Sequence, residues 1–142
     1  RPIYGFSQPS YWRDIGNSEA LRLVNLELAD GAIPGRVPDD AEGVLIGSGA
    51  TVAPGAHLQR PAVIGVGTTI GEGVTIKDSV CWDGVVLEDG ATVRESVLAS
   101  GVTVGTGAVV ERSVVAHGAR IAAGARVSNQ QLEPDSVTEA AP

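Results

Sequence analysis

IGEGVTIKDSVCWDGVV (residues 70–86), LEDGATVRESVLASGVT (87–103) and VGTGAVVERSVVAHGAR (104–120) can be written one beneath another, and IAAGARVSNQQLEPDSV (121–137) continues the frame. The period is 17 residues. Within it, in-phase apolar residues fall at 70, 76, 81, 87, 93, 98, 104, 110, 115, 121, 127 and 132, a step of six with every third step shortened to five. Upstream, the same phase takes in 46, 52, 58 and 64, and the line from Val52 is one residue longer than the others.

A step of six suits a short strand followed by a bend, because alternate strand residues face opposite ways and only one aliphatic per face need point inward. Three such faces close one triangular coil. Two positions before many of the inward residues stands a small or β-branched one: Val74, Ala91, Ala108 and Ala125 on one face, and Ser79, Ser96 and Ser113 on another. Glycines recur at two corners, Gly73, Gly90, Gly107 and Gly124 with Gly55 before them, and Gly67, Gly84, Gly101 and Gly118. Corners with positive φ or close backbone approach favour glycine. Stacked coils then place like on like, with main-chain hydrogen bonds running from coil to coil. About five coils at roughly 4.8 Å each make a prism roughly 25 Å tall.

This pattern resembles the hexapeptide-repeat family, whose fold is a left-handed parallel β-helix, and the resemblance covers residues 44–132. No 3.6-residue periodicity competes with it there. The fold class expected is therefore mainly β, a left-handed parallel β-helix preceded by a strand-turn-helix segment. Solenoid ends need covering. Residues 133–142 are expected to supply a cap and tail at one end, and residues 1–43 to cover the other.

Composition agrees with such an interior. The 142 residues are 43% apolar but only 4% aromatic, with no Met and 19 Gly, so small and β-branched side chains must fill the core. A formal charge of −7 argues against nucleic acid, whose phosphates call for a basic face, and against an anionic membrane surface. No apolar run is long enough to span a bilayer and no signal-peptide order opens the chain. Cys81 is the one cysteine, so no disulfide can form within the chain, and a cytoplasmic location is the expectation. Starting at Arg1 rather than Met, the chain reads as a processed product or a domain cut from something longer.

The first 43 residues obey a different rule. Residues 1–15 alternate loosely as a strand; Gly16 and Asn17 mark a turn; Asn17 is the expected N-cap of a helix from Ser18 to about Ala29, with Glu19 in its first turn and Leu21, Val24 and Leu28 along one face. DGAIPGRVPDD then reads as a linker, which divides the chain into 1–30, 31–43, 44–132 and 133–142.

YWRDIGNSEALRLVN, residues 11–25, resembles the segment that closes the catalytic domain of sugar-1-phosphate nucleotidyltransferases, with Tyr11, Trp12, Asp14, Ile15, Gly16, Glu19 and Asn25 matching and Ser10 and Ser18 departing. The mannose-1-phosphate guanylyltransferase-like branch continues into a left-handed β-helix that often carries a string like DSVCWDGVVLEDG, found here at 78–90. The resemblance implies Asp14 as a ligand of the catalytic Mg²⁺, a parent enzyme that makes nucleotide-sugar and pyrophosphate, an upstream catalytic domain, and self-association through the β-helix faces. The family's glycine-rich phosphate loop, Glu-Lys-Pro segment and second metal-binding Asp are missing. Phosphoryl transfer needs two phosphates and a metal held in line, so this chain alone should be inactive.

Other side chains carry weaker signals. Some hexapeptide-repeat proteins are acyltransferases with a histidine as general base, which makes His117 and His57 candidates. His117 shares its column with Asp83 and Ser100, as a surface residue would; His57 precedes the inward Leu58. Cys81 occupies a ladder place and reads as core. Trp82 projects where its column otherwise holds Gly65, Ala99 and Ala116, and reads equally as cover for the helix, as cover for an upstream catalytic domain or as surface. Glu88, Asp89, Glu95, Glu111, Lys77, Arg94 and Arg112 read as outward mixed charge. Two rival functions stay open, an acyl-CoA-dependent acyltransferase and a structural partner subunit.

Overall fold

The sequence period is the distance between paired strands. In the computed structural model, which describes residues 17–31 and 43–140, Ile76, Val93, Val110 and Val127 pair in parallel register one above another. Cys81, Leu98, Val115 and Leu132 do the same on the next face. On the third face the strands Thr51–Val52, Thr69–Ile70, Val86–Leu87, Thr103–Val104, Arg120–Ile121 and Val137–Thr138 stack in that order as a six-stranded sheet. The fold is a parallel β-solenoid six strands deep on this face, one level more than five coils. Pairing runs past Leu132 to Thr138, although the aliphatic ladder has ended. Main-chain hydrogen bonds need no particular side chain, so backbone pairing outlasts the pattern.

The in-phase residues from Ile64 to Val127 are each 2% exposed or less. Each such Val, Leu or Ile contributes about 1.5–3 kcal/mol by its burial. A further inward column, Thr68, Val85, Val102 and Ala119, is fully buried and had no part in the sequence reading. Its one polar member is satisfied, since the Thr68 hydroxyl donates to the Trp82 carbonyl at 3.0 Å.

The corners explain the uneven step. At two of them glycines take φ between 66° and 73°, among them Gly84 and Gly101. The third corner turns on one left-handed residue that is not glycine: Asp78, Glu95, Arg112 and Asn129, with φ of 46–54°. That single-residue bend is one residue shorter than the others. It would leave the next N–H without a partner, and the serine column supplies one: the amides of Ser96, Ser113 and Gln130 each donate to the serine hydroxyl one coil below at 3.1 Å. Each hydroxyl in turn donates to a carbonyl two residues back, at 2.7 Å. The extra residue of the line from Val52 sits at this same corner, where the pairing shifts register between Gln59 and Ala62.

The helix, α1 (Ser18–Ala29), begins as expected, with Asn17 extended and its Oδ1 accepting from the Ala20 amide at 2.8 Å. Its buried face is different from the expected one. Arg22, Leu26 and Ala29 are buried, whereas Leu21, Val24 and Leu28 are only half-buried. The reason is where it docks. α1 lies against strands His57–Ile64 and Thr75–Cys81, on the flank of the solenoid, and does not cover its end. On that flank Val63, Val80, Val97 and Val114 point outward in one register column. Val80 and Val97 are nevertheless only 2% and 6% exposed. At the first coil, by contrast, the inward position Ile46 is 52% exposed. The chain returns to the solenoid close to where the helix ends: a Cβ on Gly43 would lie 2.5 Å from Asp30 Oδ1 and 3.0 Å from Arg60 Cβ.

Candidate functional site

Among the described residues, the chemistry-bearing side chains anticipated from the sequence do not converge. Asp14 lies outside the described residues, as do the strand and turn expected before Asn17 and most of the linker. Among the described residues no three His, Cys, Asp or Glu side chains come together as a metal site. The place of Mg²⁺ therefore rests on the resemblance.

His117 is exposed at a glycine corner, in the stacked column Val66, Asp83, Ser100 and His117. Asp83 is two coils away, roughly 10 Å, and its carboxylate is used to accept from the Val66 amide at 2.8 Å. His57 is exposed on another face, paired with Thr75. A general base works from a fixed position, often oriented by a second group. The register keeps the two imidazoles on different coils and different faces.

Cys81 is fully buried and burial pushes its thiol up to about 12. It is a core residue with no thiolate at neutral pH. Trp82 is 42% exposed, and Val66, near it on the coil below, is 50% exposed. The outward acids do more than meet solvent. Asp89 Oδ1 accepts from the Glu72 amide, Glu72 Oε2 from the Gly55 amide and Glu88 Oε2 from the Thr106 amide, at 2.9–3.0 Å. These carboxylates close corner N–H groups between coils. Glu111 stands between Arg94 and Arg126, at 3.5 and 3.9 Å.

One polar constellation is built with care, and the sequence reading missed it. Arg22, 7% exposed, donates through Nε and Nη2 to the two carboxylate oxygens of Glu19 at 2.8 and 2.6 Å, and through Nη1 to the carbonyl of Asp78 at 2.6 Å. The hydrogen bond from Arg22 holds the Glu19 carboxyl below its ordinary range, and the same contact raises the guanidinium. Beside it run two clefts. One of about 510 Å³ is bordered by Leu23, Leu26, Asp30, Pro61 and Asp78; the other, of about 380 Å³, by Ser18, Val97, Arg112, Val114 and Gln131. The only sequence signal was the Glu19 and Arg22 spacing of three on one helix face. It says nothing about Asp78, 56 residues away.

Residues 39–127 match the family model described as the EIF2B subunit epsilon LbH domain, a left-handed β-helix. A mannose-1-phosphate guanylyltransferase of Mycobacterium tuberculosis is 38% identical over 87 residues, covering 61% of this chain and 24% of the relative. The chain thus spans about a quarter of the length of that curated relative. Among solved structures, a mutant of AntD, an N-acyltransferase from Bacillus cereus in complex with dTDP and coenzyme A, superposes with a TM-score of 0.67 at 12% identity over 72% of each chain. A mutant of GDP-perosamine N-acetyl transferase from Caulobacter crescentus gives a TM-score of 0.50 at 21% identity, over 82% of this chain and 59% of that one. At such identities the likeness is one of fold. Ladder, corners and family model agree on the same span, and the chain belongs to the EIF2B epsilon-type left-handed β-helix family.

Proposed function

We propose that the chain is the β-helical C-terminal assembly or regulatory domain of a sugar-1-phosphate nucleotidyltransferase, which forms nucleotide-sugar and pyrophosphate from a nucleoside triphosphate and a sugar 1-phosphate. The observation that carries this reading is the 38% identity with a mannose-1-phosphate guanylyltransferase over 87 residues. The order of the Asp14 motif, α1 and the β-helix supports it. In this reading Asp14 is a Mg²⁺ ligand of the parent enzyme, the nucleotide-binding groups lie upstream, and this chain alone is inactive. The flat outer faces serve self-association, and the enzyme works in the cytoplasm on small molecules.

The test is to detect the native polypeptide with an antibody to the β-helix, then to assay it for pyrophosphate release from nucleoside triphosphate and mannose 1-phosphate. The expected result is a mass well above 14.4 kDa and turnover that this chain alone lacks and that Asp14→Asn greatly reduces. A native mass equal to that of this chain would overturn the reading. The exposed imidazole of His117 favours a second reading, an acyl-CoA-dependent acyltransferase. It requires acyl transfer by this chain that His117→Ala abolishes. Binding to a separate catalytic chain, with neither activity, would identify a structural partner subunit.

A further inference from the structure

We infer that α1 is an orientation clamp: it is seated on the solenoid, and Arg22 fixes the direction in which an upstream module leaves the β-helix. The clamp rests on the reading above that such a module exists.

Three observations carry it. A helix of 12 residues is marginal in water by itself and needs a surface to hold it. The surface is present: α1 lies against the two strands that carry Val63 and Val80, and the outward column continues through Val97 and Val114, which border the cleft beside Ser18, Glu19 and Arg22. Two of those valines are buried although they face away from the core. The contact is also tied by a group that is costly to bury. A guanidinium taken out of water is tolerated only where its donors are met, and Arg22 meets Glu19 on its own helix and the Asp78 carbonyl on the solenoid. Asp78 is the first left-handed corner of its column, so the acceptor belongs to backbone held by the coils around it.

A latch of this kind fixes rotation as well as position. Leu26 and Ala29 alone would let the helix slide along the valines, because dispersion contacts are not directional. The Arg22 bond to one carbonyl selects one register. Because residues 11–25 close the catalytic domain in the reading above, holding α1 ties that domain directly to the β-helix. Arg22 is a positioning residue in this sense and touches no reacting atom.

The test has two arms. In this chain, amide hydrogen exchange should show Leu23 to Ala29 protected, and Arg22→Ala should lower that protection about tenfold or more while amides from Val104 to Val115 keep theirs. Arg22→Lys should restore part of it, since an ammonium can still reach one acceptor. Unprotected α1 amides in the parent chain, or no response to Arg22→Ala, would overturn the seat. In the longer polypeptide, the distance distribution between a label in the upstream module and one at Ser100 should be narrow and should broaden in Arg22→Ala. A distribution that stays narrow after α1 has lost its protection overturns the clamp. The absence of any upstream module would instead sink the functional reading, which the exchange arm does not touch.

Discussion

Val93 and Val97 are four residues apart and both are buried, yet they are buried by unrelated means. Val93 points inward and is covered by Ile76 below and Val110 above, its own counterparts in neighbouring coils. Val97 points outward, is 6% exposed, and borders the cleft that it shares with Ser18, Glu19 and Arg22 of α1. Inside the wall, each coil provides the surface its neighbour needs, so stability is shared along the solenoid. Outside it, burial hangs on one helix and one guanidinium.

The sharpest way to break the contrast is Val93→Asp. An unpaired carboxylate in the apolar interior costs on the order of the whole stability of a domain, so circular dichroism should show the β signal lost at 25 °C. A variant that melts like the parent would mean that the ladder is wrongly assigned. Leu26→Ala, on the flank, should cost about 2–3 kcal/mol, read as faster exchange of the α1 amides with the coils unaffected. If the coil amides accelerate equally, flank and wall form one cooperative unit.

A third substitution probes the corner that joins the two regions. Ser96→Ala removes the acceptor of the Ser113 amide, while the Arg94 carbonyl keeps its bond from the Arg112 amide; one buried donor left unmet should cost about 1–3 kcal/mol in chemical denaturation. Glu95→Asn tests the left-handed bend at φ 47°. Asparagine tolerates that region better than glutamate, so a gain of up to ~1 kcal/mol is expected in the same measurement.

The smallest effect is one of pH. The Glu19 carboxyl is lowered in the folded state by its hydrogen bond from Arg22. A depressed carboxyl adds stability above its ordinary value of 4.5 and loses it as pH falls through the folded value. Protection of α1 should therefore be flat from neutral pH to about 5 and decline below about 4.5, whereas Arg22→Ala should remove that dependence. Because Glu19 is well exposed, the decline should be slight.

The same contrast explains what could be read from the sequence. The inner ladder was legible because like sits on like, so that Ile76, Val93, Val110 and Val127 announce both strand and register. The outer column repeats with the same period at Val63, Val80, Val97 and Val114. It was passed over because outward valines look like ordinary β-formers until something is seen to cover them. Arg22 was missed for a related reason. A helix face is sought among apolar residues, and the residue that ties this one down is charged. The serine column was noticed as small, but its hydrogen bonds depend on the left-handed corner, which Asp78, Glu95 and Arg112 do not advertise as glycine would. The histidines were correctly placed as outward; their distance from each other emerged only with the coil register.

The near meeting of Asp30, Gly43 and Arg60 bears on protein engineering. Both ends of the segment 32–42 are anchored side by side on the same body, so its length is under no obligation to bridge a gap. Doubling the length of a connection between two anchored ends costs only about 0.6 kcal/mol. A reporter or an affinity tag let into this position should therefore leave α1 on its seat and the coils in register.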